Sequence, residues 1–346
     1  MFVIGACVSV LYIVSNRKTD REIALAVETD STPVTLLGTG ASFPAPLYEK
    51  WFSEYNRIHP EVQINYQALG GGAGIKQFQQ GLVNFAASDA AMTDAEIASV
   101  KDGVVMLPLT AGCVVLAYNL PGGPAELRLS RQAYTAIFLG KITHWDDPAI
   151  RQVNPGMRLP HTKIVVISKS DASGTTFVFT SHLSTISAAW RDGPGAGTSV
   201  NFPVGVAAKG TLGVTALIQR TPGAIGYVEY GYAKQTGVAM AVLENKSGRF
   251  VSPDLSSGAS ALSSIKLPSD LRAWLPDPPG ADAYPIVTYT WLLCRRRYGD
   301  PKVAAALRSV ISYCSTQGQT YSAELGYIPL PAEVIKAVAK ALQQIR

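Results

Sequence analysis

Three times along this chain a short apolar run gives way to small residues and then to apolar residues at helical spacing, and few folds accommodate that alternation. Val34 to Leu37 leads through Gly38-Thr39-Gly40-Ala41-Ser42-Phe43-Pro44-Ala45-Pro46 to Leu47, Trp51, Tyr55 and Ile58. Val62 to Tyr66 leads through Gly70-Gly71-Gly72-Ala73-Gly74 to Ile75, Phe78 and Leu82. Ile164 to Ser168 leads through Lys169-Ser170-Asp171-Ala172-Ser173-Gly174-Thr175-Thr176 to Phe177, Phe179, Leu183, Ile186 and Trp190, read as one helix face. Ile164 to Ser168 has the length and β-branched content of a buried strand, the other two runs read as short strands, and the following residues read as helices. Strands alternating with helices argue an α/β protein whose ligand loops lie at the carboxyl ends of strands.

Each junction carries a chemistry. Where a strand ends and a helix begins, unpaired backbone N–H groups, the positive end of the helix dipole and small hydroxyl side chains point at one spot. That is a receptor for an oxyanion. A single such junction is more often a plain N-cap; its recurrence favours the receptor. The glycine run lets backbone approach a ligand but lacks the Gly-Lys-Ser/Thr ending of a P-loop. Phe85 to Met92 gives an apolar strand ending in Asp89, and Thr93 to Glu96 reads as a capping box. Val104 to Pro108 and Gly112 to Asn119 read as two strands meeting around Thr110 and Ala111, Pro285 to Cys294 as another, and Pro331 opens a last amphipathic helix.

A net charge of +5, from 30 basic and 25 acidic residues, suits small anions, and no dense basic run suggests a nucleic-acid surface. The apolar stretch Met1 to Val14 is short for a bilayer span and close to a signal-peptide core, although Arg17, Lys18 and Arg21 follow rather than precede it. Thr19 to Pro33 reads as a polar linker. Cys7, Cys113, Cys294 and Cys314 lack metal-ligand spacing; a Cys294–Cys314 disulfide is permitted in an exported chain but not demanded.

Five stretches in one order carry a family resemblance: Gly40 to Pro46, Phe85 to Ala90, Lys141-Ile142-Thr143-His144-Trp145-Asp146-Asp147-Pro148, Asp171 to Thr180, and Pro222 to Tyr230. Together they resemble the periplasmic phosphate-binding proteins of ABC-type phosphate importers, from about Val34 to the C-terminus. The resemblance implies a type II periplasmic binding protein fold, two α/β lobes closing on the anion. Residues 1–33 would be a signal or anchor segment and linker, 34–110 and 285–346 the first lobe, and 111–284 the second. The crossings would lie near Leu109 to Gly112 and Ala283 to Ile286. It places phosphate ligands at Ser42, Phe43 and Asp89 in the first lobe and at Ser173, Gly174 and Thr175 in the second. It implies no cofactor or metal, ABC permease subunits as partners, a monomer, and an exported protein at the periplasm or cell surface, with a membrane tether through the N-terminal segment as an open alternative.

Asp89 acquires a purpose in that setting. A carboxylate only accepts hydrogen bonds, and phosphate near neutral pH still has a proton to donate whereas sulfate does not. Two positions depart from the family pattern. Gly72 stands where the glycine-rich loop usually has a serine, leaving its backbone N–H as the donor. Lys169 stands where an arginine forks onto the phosphate, and lysine keeps the charge without the planar geometry. Losing one charge-assisted hydrogen bond costs roughly 1.5–3 kcal/mol, one to two decades of affinity. Weaker phosphate binding, or a phosphate ester or phosphonate as ligand, is therefore expected.

Two other functions fit less of the sequence. A phosphatase using Ser42 or Ser173 as nucleophile needs a base, and His59, His144, His161 and His182 lie outside the ligand loops or well past the start of a helix. A membrane-tethered sensor is compatible with Lys169, Gly72 and the N-terminus.

Overall fold

The computed structural model describes residues 33–124 and 126–346. In chain order its strands are β1 Val34–Gly40, β2 Val62–Gln67, β3 Phe85–Ser88, β4 Val104–Asn119, β5 Arg128–Leu129, β6 Val165–Lys169, β7 Val206–Ala208, β8 Ala224–Glu229, β9 Ala239–Met240, β10 Val242–Glu244, β11 Phe250–Val251 and β12 Val287–Arg295. The main sheet has the order β2-β1-β3-β12-β4-β8-β6-β7, with β9 paired to β4, and β11-β10-β5 form a small separate sheet.

The main sheet divides at β4 into two lobes. In the first, β1 lies parallel to β2 and β3, and β12 runs antiparallel between β3 and β4. In the second, β4 pairs antiparallel with β8, and β6 lies parallel to β8 and β7. β4 serves both: Val104 to Cys113 pair with β12, and Val114 to Asn119 pair with β8. The two strands expected around Thr110 and Ala111 are thus one. Its residues are buried from Val104 to Tyr118, and a partner strand is present on each side of the changeover, so the strand continues through it, with one register shift opposite Thr290 and Trp291.

Helices cover the sheet faces because their apolar stripes must be buried. The helix Ala45–Ile58 buries Leu47, Tyr48, Trp51, Phe52 and Tyr55, and Phe52 meets Phe85 and Tyr66 edge-on. In the second lobe Phe138, Phe179 and Tyr227 form the matching aromatic cluster. The helix after Ser173 ends at Ile186: Ser187 caps it and then accepts a hydrogen bond from the Trp190 N–H, opening a separate short helix Ala188–Arg191. Trp190 therefore belongs to a second element, although it is fully buried as expected. The expected capping box at Thr93 and Glu96 is present.

Cys113, Cys294 and Cys314 are buried free thiols, so the permitted Cys294–Cys314 bridge is not formed. Both thiols are packed into the first lobe's core as small apolar groups, and burial pushes the Cys294 thiol up to about 12. Cys7 and the apolar stretch Met1 to Val14 lie outside the described residues. Among the described residues no helix is long and apolar enough to cross a membrane.

Candidate functional site: an anion seam between the lobes

Four helix N-termini meet where the lobes touch. They belong to the helices Ala45–Ile58 and Gly71–Gln79 of the first lobe and Gly174–Ile186 and Gly210–Arg220 of the second. Bonds across the seam fix this meeting. Ser42 Oγ lies 3.0 Å from Thr211 Oγ1, the Gly72 N–H donates to the Ala172 carbonyl at 3.2 Å, and the Tyr232 hydroxyl donates to the Ser42 carbonyl at 2.8 Å. Each helix start contributes a partial positive charge of about half a unit to the same place. A neutral donor array of this kind holds a dehydrated oxyanion without a metal.

Close backbone approach explains two of the glycines. A Cβ on Gly174 would sit 2.7 Å from the Ala90 nitrogen and 2.7 Å from the Asp89 Cβ. A Cβ on Gly72 would sit 2.7 Å from the Ala172 Cβ. Only hydrogen at these positions lets the lobes come this near. In the second lobe Ser173 is the N-cap, its Oγ accepting from the Thr175 N–H at 3.2 Å.

Behind the helix ends lies a buried ionic cluster. Lys169, the last residue of β6, donates from Nζ to Thr175 Oγ1 at 3.0 Å, Thr211 Oγ1 at 2.8 Å and Glu229 Oε1 at 3.0 Å. An ammonium has three hydrogens, and all three are engaged. Thr175 in turn donates to Glu229 Oε1 at 2.6 Å and lies 3.4 Å from Asp89 Oδ2. A hydroxyl has one hydrogen, and the shorter contact takes it. Asp89 Oδ1 accepts from Thr290 Oγ1 at 3.0 Å.

The two carboxylates respond oppositely to this environment. Burial, then the charge of Glu229, pushes the Asp89 carboxyl up to about 7, against the opposing pull of Lys169, Thr290 and Thr175. Burial also pushes Glu229 up, but Lys169 and the hydroxyls of Thr175 and Thr211 pull it further down, leaving it below its ordinary value. Glu229 therefore stays ionised and neutralises Lys169. Its Oε2 is buried with no hydrogen-bond partner among the described residues.

The eight residues expected to bind the anion are not equivalent. Ser42, Asp89, Lys169, Ser173, Gly174 and Thr175 surround one point of the seam. Phe43 is buried directly behind Ser42, its carbonyl accepting from the Tyr327 hydroxyl at 2.7 Å. Gly72 spends its N–H on Ala172 rather than holding it free. Lys169 is wholly enclosed by protein partners. Three residues were not singled out as ligands from sequence: Glu229, Thr211 and Thr290. Thr211 follows Gly210 at a fourth strand–small-residue–helix junction, which is the signal that marks it. Glu229 closes the apolar run of β8, and a carboxylate at the end of a buried strand is a comparable signal. Thr290 sits inside the apolar β12, where nothing in the local pattern sets it apart.

The two-lobe architecture agrees with that of relatives. Residues 26–317 match the family model described as a PBP superfamily domain. The phosphate-binding protein PstS of Methanocaldococcus jannaschii is 38% identical over 333 residues, covering 89% of this chain and 85% of that one. The phosphate-binding protein PstS of Pasteurella multocida is 38% identical over 307 residues, covering 88% of each. Among solved structures, the phosphate-binding protein of Stenotrophomonas maltophilia aligns with a TM-score of 0.73 at 22% identity over 89% of this chain and 93% of that one. A phosphate-bound high-affinity periplasmic phosphate-binding protein, PfluDING, aligns with a TM-score of 0.73 at 20% identity over the same shares. With β4 shared by both halves of its main sheet and its helix ends gathered at the seam, the chain belongs to the PstS phosphate-binding proteins of the PBP superfamily.

Proposed function

We propose that this protein is a non-enzymatic receptor that holds inorganic phosphate between its lobes and delivers it to the permease of an ABC importer. The observation that carries the reading is the convergence of four helix N-termini and the hydroxyls of Ser42, Ser173 and Thr175 beside the buried Asp89. The anion touches both lobes only when they are shut, so binding shifts the population towards the closed form. Ser42 and the Phe43 N–H hold it from the first lobe; Ser173, Gly174 and Thr175 hold it from the second. Asp89, as a carboxylate, accepts a hydrogen bond from the phosphate O–H and turns away sulfate, which has no proton to donate. The closed form is what the permease subunits recognise.

The lobes comprise residues 34–110 with 285–346, and 111–284, with β4 and the chain before β12 as the crossings. The protein acts as a monomer in the periplasm or at the cell surface, with residues 1–33 as its export segment or tether. Lys169 reaches the anion only by giving up one of its three protein partners, which supports an affinity below that of an arginine-bearing site. A hydrolytic role is disfavoured because neither candidate nucleophile meets a base. Ser42 Oγ faces Thr211, and Ser173 Oγ accepts from Thr175. His182 is buried between the Tyr134 hydroxyl and the Pro276 carbonyl.

Isothermal titration of the purified protein with phosphate, and with sulfate as control, tests this. A saturable one-to-one phosphate heat, silence with sulfate and no release of product from phosphate esters are expected. A folded protein that gives no phosphate heat overturns the reading.

A further inference from the structure

Lys101, Arg296, Arg297 and Arg346 surround a surface depression of about 440 Å³ at the end of the first lobe away from the anion seam. All four side chains are exposed, and none forms an ion pair among the described residues. Asp102 is the single side-chain carboxylate among the described residues lining the depression. The neighbouring acids are engaged elsewhere: Asp94 and Asp270 pair with Arg272, and Asp300 caps the helix Pro301–Ser315.

The cluster is built by the fold rather than carried on loose tails. The Arg296 N–H donates to the Gly103 carbonyl at 3.3 Å, the Arg346 N–H to the Arg296 carbonyl at 2.9 Å, and the Tyr298 N–H to the Arg346 carbonyl at 2.8 Å. The stem of Arg296 crosses Gly103 so closely that a Cβ there would lie 2.9 Å from its Cδ. Arg295, by contrast, turns onto the Phe78 ring at 4.5 Å and does not join the cluster.

Strand directions put this pole beside the point where the chain enters the fold. β1 is parallel to β3 and β3 antiparallel to β12, so β1 begins at the rim where β12 ends. One strand separates them, a lateral distance of about 10 Å. The Tyr298 hydroxyl donates to the Asn84 carbonyl, and the Asn84 N–H to the Leu37 carbonyl, tying the two strands together at this rim. Before Val34 the sequence holds a polar stretch from Ser15 to Pro33, long enough to span up to about 65 Å when extended, and before it the apolar run Met1 to Val14.

We propose that this basic pole docks on the anionic headgroups of a phospholipid bilayer. Unpaired cations spread over one end of a molecule suit a surface of many phosphates better than one discrete ligand. The seam, at the opposite ends of β1 and β3, then stands clear of the bilayer by the length of the sheet.

The test is partition of the full chain onto vesicles of phosphatidylcholine alone and of an equal mixture with phosphatidylglycerol. Whatever the apolar Met1 to Val14 contributes enters both partitions, so the ratio reads the charge. Roughly tenfold or stronger preference for the anionic vesicles is expected, weakening with salt. The triple variant Lys101→Gln/Arg296→Gln/Arg297→Gln is expected to lose it while still binding phosphate, which reports folding and the seam separately. Equal partition onto both vesicles overturns the proposal, as does a preference that survives the triple variant. Loss of the preference on adding inorganic phosphate at constant ionic strength would instead assign the pole to the free ion.

Discussion

Lys169 Nζ lies 3.0 Å from Glu229 Oε1, and neither side chain reaches solvent. A buried pair of this kind gains little net stability, because desolvation of both charges opposes their attraction. Its consequence here concerns the ligand. Glu229 occupies donors of Lys169, Thr175 and Thr211 at the same spot where the anion arrives, and so acts as an internal competitor.

Glu229→Gln removes that competitor's charge. Without phosphate the variant leaves a buried ammonium unpaired and is expected to lose roughly 3–5 kcal/mol of stability in urea unfolding. With phosphate the ammonium regains an anionic partner, and calorimetric titration should show at least about tenfold tighter binding. Unchanged or weaker binding would mean that Glu229 and the anion do not compete.

Asp89 gives the ligand-free protein a pH dependence of known sign. Its carboxyl is raised from 3.8 to about 7, so in that window the folded protein holds a proton that the unfolded chain has released. Stability therefore falls as pH rises from about 4 to 7, by about 4 kcal/mol in all. Asp89→Asn should flatten that leg of a urea-midpoint profile and admit sulfate. A variant with the parental profile would place the titration elsewhere.

Gly174→Ala tests closure. Its methyl group would meet Ala90 and Asp89 across the seam, and overpacking of this order costs about 1–3 kcal/mol. Because the clash exists only when the lobes are shut, the cost falls on binding. Phosphate affinity should drop by roughly one to two decades, with the urea midpoint little changed and the solution radius larger.

Gly72→Ser, which restores the hydroxyl usual in the family, is expected to weaken phosphate binding rather than strengthen it. The new Cβ would lie 2.7 Å from that of Ala172. The double variant Gly72→Ser/Ala172→Gly removes the conflict and should bind more tightly than Gly72→Ser alone. Titration of the three proteins side by side decides it.

Much of the site was legible because its parts are local. A strand, a few small residues and a helix define each donor set within about a dozen positions, so the junctions that hold Ser42 and Ser173 could be marked from pattern, while the two serines themselves were picked out by the family resemblance. Asp89 needed the family resemblance, since a carboxylate after a strand is usually a turn residue. The Lys169–Glu229 pair was not legible, because the partners are sixty residues apart and meet only through the β6–β8 pairing. For the same reason Lys169 read as a free ligand, whereas the fold surrounds it. The continuity of β4 was missed at Thr110 and Ala111, which read as the meeting point of two strands but pair with Thr290 and Tyr289 in the ladder to β12.

That ladder also fixes an order of assembly. β12, drawn from the last sixth of the chain, is inserted between β3 and β4 in the middle of the first lobe's sheet. Every strand of the second lobe's sheet lies earlier, between Val114 and Met240. A chain synthesised from its N-terminus can thus complete the second lobe while the first still waits with two strand edges bare. The half that is spelled first is finished last, and in the interval its exposed edges are the part of the molecule that a chaperone has most reason to hold.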